Sequence, residues 1–212
     1  LSTPAPDLER DRIRLALIAL VAERGYLDTS LEAVLDRAGT DHAGFARRYR
    51  DLDACFAEIW EEHKQEFLRV TAKAFASRSR WRDGMRAAAW AFCRFLQSDP
   101  DRARFFLVDF YFAGEAVQAS RDVVMSRYAD LIDRGNEERP DASVPRAHAE
   151  AIMGAIWEGA VGRIRAEDFD GIPEAIPQAM YLTVLPYLGP EAAREELRRG
   201  PADIGRYRRG EI

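Results

Sequence analysis

Arg47, Arg48 and Arg50 are the residues of this 212-residue chain whose type and spacing best suit a chemical task. A guanidinium presents a planar fork of donors, and several within a few residues can grip phosphate oxygens or the edge of a guanine. Just ahead lie His42, Ala43, Gly44 and Ala46, small or polar side chains that let a helix backbone approach base edges. Arg47 suits a guanine edge or a phosphate; Arg48 and Arg50 suit phosphates, which set affinity more than sequence choice. The same residues also fit a tight helical corner carrying a solvated arginine run, and spacing alone leaves both readings open.

Other chemistries find little purchase. His42, His63 and His148 lie far apart, without the HxxxH or HExxH spacing of a metal site. His63 falls on an apolar helix face, where a core histidine is the ordinary reading. Cys55 and Cys93 have no paired spacing and read as small buried hydrophobes in a reducing compartment. No phosphate-binding glycine loop, GxSxG elbow or CxxC pair occurs, so neither an enzyme nor a cofactor is expected. Asp109 sits inside the aromatic run Phe105–Phe112 and, if buried, needs either a ligand or an arginine as partner. The net charge of -5 does not exclude a DNA reader, which needs only a local basic patch. The longest apolar runs are far short of a membrane span, and no basic leader precedes one, which predicts a cytoplasmic protein.

The elements that position these residues are all helical, for period-two alternation and hairpin turns are lacking. Ile13, Leu17, Leu20 and Val21 stripe a first helix that Gly25 ends. Thr29-x-x-Glu32 has the spacing of a capping box opening a second helix, with Leu31, Val34 and Leu35 inward and Gly39 closing it. Asp41 caps a short third helix whose Phe45 and Tyr49 face the core, and Asp51 caps a long fourth that runs through Phe56, Trp60, His63 and Phe67. Further helices are predicted from Trp81, from Pro100, over 114–134, over 145–166 and over 172–188, with a short polar one after Pro190. Two short helices joined through Gly39-Thr40-Asp41 have the layout of a helix-turn-helix, whose second helix enters the major groove.

Residues 10 to 60 resemble the TetR/AcrR family of repressors. The features carrying the resemblance are Ala22-Glu23-Arg24-Gly25-Tyr26 after an Ala-rich helix, Thr29-Ser30 at the second helix, Ala38-Gly39 before the turn, and the aromatic Tyr49 closing the third. The resemblance implies an all-α chain: a three-helix DNA-binding domain over 1–52, joined by the long fourth helix to a ligand-binding and dimerisation domain over 53–212. It implies a homodimer on a palindromic double-stranded operator, released by a small-molecule effector. The expected DNA-contacting residues are Thr29, Thr40, His42, Ala43, Gly44, Arg47, Arg48 and Arg50. The sequence departs from the family at Ala46, where a phosphate-binding tyrosine is usual, at Leu52, where a lysine is common, and at Ala43-Gly44 in place of Gly-Thr. Those departures keep a second reading in play: a degenerate regulator acting as a helical small-molecule-binding dimer without specific DNA binding.

For the C-terminal part, the aromatic density predicts a core or a cavity lining, with Phe67, Met85, Trp90, Phe106, Asp109, Phe110, Met153 and Trp157 as candidate ligand contacts. The ligand is expected to be apolar or aromatic, and its binding to shift the separation of two reading heads. Ala151, Ala155, Gly159, Gly162 and Ala166 recur on one stripe, and glycine within a helix disfavours it by roughly 1 kcal/mol relative to alanine, so close helix approach is the expected reason. With Ile176, Met180 and Val184 of the last long helix they form the predicted dimer seam; packing against a helix of the same subunit is the competing reading.

Overall fold

The structure, a computed structural model, describes residues 7–139 and 143–199. Among the described residues there are nine α-helices and no strand: α1 (Leu8–Arg24), α2 (Leu31–Ala38), α3 (His42–Ala46), α4 (Leu52–Ala76), α5 (Trp81–Gln97), α6 (Pro100–Leu107), α7 (Gly114–Asp133), α8 (Arg146–Arg165) and α9 (Ile176–Arg198). Short 3-10 turns occupy Asp109–Phe112, Arg134–Glu138 and Pro173–Ala175. The chain forms two compact units, one of residues up to Gln65 with Asp101–Ser120, the other of Glu66–Pro100 with the residues from Arg121 on.

In the first unit, Ile13, Leu17, Val21, Val34 and Phe45 are buried to within a few per cent. Asp7, Ser30, Asp41 and Asp51 each accept a backbone N–H of the first turn they precede, at 3.1, 3.2, 2.7 and 2.7 Å. The cap of α2 is thus Ser30, not Thr29, whose buried hydroxyl instead donates to the Gly25 carbonyl at 2.8 Å. Arg10 ties α1 to Glu58 of α4 at 2.8 Å, and Arg14 pairs with Glu62 one turn on.

The aromatic run is not one continuous helix. Helix α6 stops at Leu107 and a 3-10 turn follows. Within α6 Phe105 stacks on Phe56 (3.9 Å between centroids), and the Trp60 indole N–H donates to the Phe106 carbonyl at 3.0 Å. His63 lies edge-on to Phe105, a core position.

In the second unit, Phe67 packs on Phe92 and Phe95 of α5 and stacks on Tyr128 of α7. The Trp81 indole N–H donates to the Leu131 carbonyl at 2.8 Å. Helix α9 is locked to α5 by Glu196, wholly buried, which takes Arg86 and also pairs with Arg82 at 2.5 Å. The expected short helix after Pro190 is the last stretch of α9, set off from the rest by a non-helical break at Gly189, whose φ is 84°.

Candidate nucleic-acid interface and ligand cavity

Helices α2 and α3 make the helix-turn-helix. Gly39 closes α2 with φ 62°, a left-handed conformation that a side chain resists, and the chain turns through Thr40 into the Asp41 cap. Phe45 and Tyr49 anchor the inner side, their rings 5.5 Å apart, and the Tyr49 hydroxyl donates to Glu58 at 2.8 Å.

The outer side carries His42, Ala43, Ala46 and Arg47, all exposed. Gly44 belongs instead to the inner side: it is buried, and a Cβ there would collide with the Thr40 hydroxyl and the Glu9 carboxylate. Thr29 is likewise buried, and Thr40 donates to Glu9 at 2.6 Å.

The arginines divide sharply. Arg48 is drawn back to α1, pairing with Asp7 at 2.8 Å and Glu9 at 2.7 Å, and its side chain is only 21% exposed. The hydrogen bond to Asp7 raises the Arg48 pKa and, in return, lowers that of Asp7. Arg47 is 62% exposed and meets Glu9 only at 3.4 Å, while Arg50 is 83% exposed beside its neighbour Asp51. Such exposed pairs are weakly held and readily exchanged for a phosphate. The geometry therefore leaves Arg47 and Arg50 presented to solvent and makes Arg48 a strut between α1 and the end of α3.

The second unit contains a cavity of about 450 Å³, within the range of small-molecule sites. Phe67, Met85 and Met153 of the expected ligand set line it. Trp90 and Trp157 are buried but lie outside its wall. Phe106, Asp109 and Phe110 belong to the other unit's core: Asp109 accepts the Tyr26 backbone N–H at 3.3 Å and forms a longer ion pair with Arg104 at 3.7 Å. The remaining wall comes largely from Ala88, Phe92 and Cys93 of α5, Tyr128 and Ile132 of α7, Ala160 of α8, and Met180 and Thr183 of α9. Spacings of three to four residues within each helix carry this signal, but its sense emerges only once the helices are assembled. Burial pushes the Cys93 thiol up to about 12, so it stays neutral. Arg163 at the edge is paired with Asp168 at 2.5 Å.

The small-residue stripe of α8 lies outward. Ala151, Ala155, Gly159 and Gly162 are exposed, and a Cβ placed on either glycine meets nothing within 4 Å. No helix among the described residues of this subunit packs over them. On α9 the structure differs from the sequence expectation: Ile176, Met180 and Val184 are 3, 2 and 0% exposed and pack into the unit's own interior. One helical face away, Gln178 and Leu182 are exposed and Ala179 half-buried, and these α9 residues, with Ala175 of the preceding 3-10 turn, line the cavity along with Ala155 and Gly159 of the α8 stripe.

No family model matches the sequence, and no curated protein matches it. Solved structures do match in fold. A TetR-family transcription regulator from Marinobacter aquaeolei aligns at 20% identity and a TM-score of 0.64, over 84% of this chain and 94% of the other. The fatty acid degradation regulator FadR of Bacillus halodurans aligns at 12% identity and a TM-score of 0.71, over 86% and 97%. FadR of Bacillus subtilis, solved in complex with stearoyl-CoA, aligns at 11% identity and a TM-score of 0.67, over 84% and 98%. The chain thus has the all-helical fold of TetR-family regulators.

Proposed function

We propose that this chain is a ligand-responsive, DNA-binding transcriptional regulator of the TetR family, acting as a homodimer in the cytoplasm rather than as an enzyme. The observation that carries the reading is the helix-turn-helix of α2 and α3, with a small and polar outer face flanked by two solvent-presented arginines. Residues 1–52 form the reading head in this proposal and 53–212 the sensing and dimerising part. The reading is supported by a fold shared with regulators over most of both chains, and by the apolar cavity in the second unit. No helix among the described residues is long and apolar enough to cross a membrane.

Within that proposal the protein is a repressor. Two heads occupy half-sites of a palindrome about 34–36 Å apart, and a small apolar or aromatic effector in the cavity alters their separation. His42, Ala43 and Arg47 meet the groove, and Arg50 meets phosphate. Thr29, Gly44 and Arg48 act by holding the head together, given their burial or pairing.

The test is selection of bound sites from random duplex DNA, followed by the salt dependence of binding to the winner. An enriched near-palindrome with affinity falling steeply as salt rises is the expected result. No enrichment would refute DNA reading and favour the ligand-binding dimer without specific DNA binding, the reading to which Ala46 and the acid-paired Arg48 would then point.

A further inference from the structure

The cavity of the second unit is unequally walled. Its floor is buried: Phe67, Met85, Phe92 and Met153 are each less than 9% exposed. Its remaining edge is Ala155 and Gly159 of α8 with Gln178 and Leu182 of α9, all exposed, Leu182 at 47%. The cavity therefore opens outward between α8 and α9, through the same residues that form the vacant small-residue stripe. Three of the chain's four methionines line it, an adaptable apolar wall. Its charged member, Arg163, is already neutralised by Asp168. Such a chamber suits an uncharged apolar molecule, and an apolar molecule left open to water on one side forgoes part of its driving force.

We infer that the mouth of this cavity is closed by a second copy of the chain, so that the ligand site is complete only in the dimer and effector binding is coupled to dimerisation. The inference rests on the homodimer reading above. Helix α8 has 20 residues and packs beside α9. At ~30 Å long and with two adjoining helix faces each ~10 Å wide, it offers roughly 600 Å² per copy, or about 1,200 Å² between two, the lower bound for a stable specific interface. Open space over Gly159 and Gly162 allows another helix to approach closely, and a two-fold axis brings the same stripe from the partner. The partner's helices then lie over both mouths. The coupling is reciprocal: whatever factor the dimer adds to ligand affinity, the ligand returns to dimer affinity.

The probe is the uncharged, polarity-sensitive dye prodan, whose emission shifts to the blue in apolar surroundings. Binding is measured on wild type and on Gly162→Glu, a residue outside the cavity wall whose side chain would obstruct the seam. In parallel, the wild-type monomer–dimer equilibrium is followed by sedimentation with and without saturating prodan. The monomeric variant is expected to bind at least tenfold more weakly. With two sites per dimer, a tenfold gain per site lowers the wild-type dimer dissociation constant about a hundredfold. Equal dimer dissociation constants with and without dye, or equal affinity in a folded monomeric variant, would overturn the shared site while leaving the dimer reading intact. A Gly162→Glu protein that remains a dimer would overturn the placement of the partner over the mouth, and absence of prodan binding to wild type would overturn the apolar site. A wild type that is monomeric throughout would refute the homodimer reading itself, and the sharing with it.

Discussion

Replacing the three arginines one at a time by alanine separates those that would touch DNA from the one that braces the head. Arg47 and Arg50 project into solvent, 62% and 83% exposed, whereas Arg48 is held by Asp7 and Glu9. Each phosphate neutralised contributes about 0.9 to the slope of log affinity against log salt on duplex DNA, and a dimer carries every contact twice, so Arg50→Ala should flatten the slope by about 1.8. Between 50 and 200 mM salt that difference amounts to about a twelvefold smaller loss of affinity for the variant than for wild type. Arg48→Ala should leave the slope within error of wild type and instead lower the thermal stability of the head. Fluorescence anisotropy on the selected operator at four or five salt concentrations gives the slopes, with thermal unfolding run alongside. An Arg48→Ala slope as flat as that of Arg50→Ala would refute the division, as would an unchanged slope in both Arg47→Ala and Arg50→Ala.

Two further outcomes test the packing. Glu196→Gln removes the charge that Arg86 and Arg82 share in the interior; losing one member of a buried pair should cost about 3 kcal/mol, or roughly 6–12 °C in Tm for a chain of this length. A drop of less than about 3 °C in a thermal melt would show that the clamp on α9 matters little. Hydrogen bonding to Arg14 holds the Glu62 carboxyl below its ordinary value near 4.5. A folded-state pKa below the unfolded one contributes stability above that value and loses it as pH falls through the folded pKa. Glu62→Gln should therefore unfold at lower urea than wild type at pH 7 and lose less on acidification to pH 4; parallel losses in the two proteins would discount the pair.

Caps, glycines and apolar stripes carried the N-terminal helices, because those signals act within a turn or two of their own residue. Gly25, Gly39, Asp41 and Asp51 all stand where a local rule places them. Thr29 and Ser30 show the limit of such rules: adjacent hydroxyls both fit a cap, and the choice falls to Ser30 because the Gly25 carbonyl, brought round by the turn, captures Thr29. The run Phe105–Phe112 is apolar but for Asp109, so it has no periodicity from which a break could be read, and the end of α6 at Leu107 shows only in the folded chain. Similarly, α9 has two apolar faces. Nothing local says that Ile176, Met180 and Val184 point inward while Ala179 and Leu182 border the opening.

The cavity was the least legible feature, since a cavity is made by side chains that are short where neighbours are long. Ala88, Ala155, Gly159 and Ala160 leave the space that Phe67, Met85, Met153 and Met180 surround. On a helix surface the same short residues are also what another helix needs for close approach, so in the proposed dimer the stripe of α8 serves chamber and seam together. The two roles separate along the helix. Ala155 and Gly159 belong to both, whereas Ala151 and Gly162 are exposed on the stripe but outside the cavity wall. In that dimer, bulk added at Ala151 or Gly162 should act on association alone, and bulk added at Ala88, buried on the floor, on the chamber alone. Only at Ala155 and Gly159 does one methyl group bear on both, which is where a fold that links ligand to dimer would have to place its smallest residues.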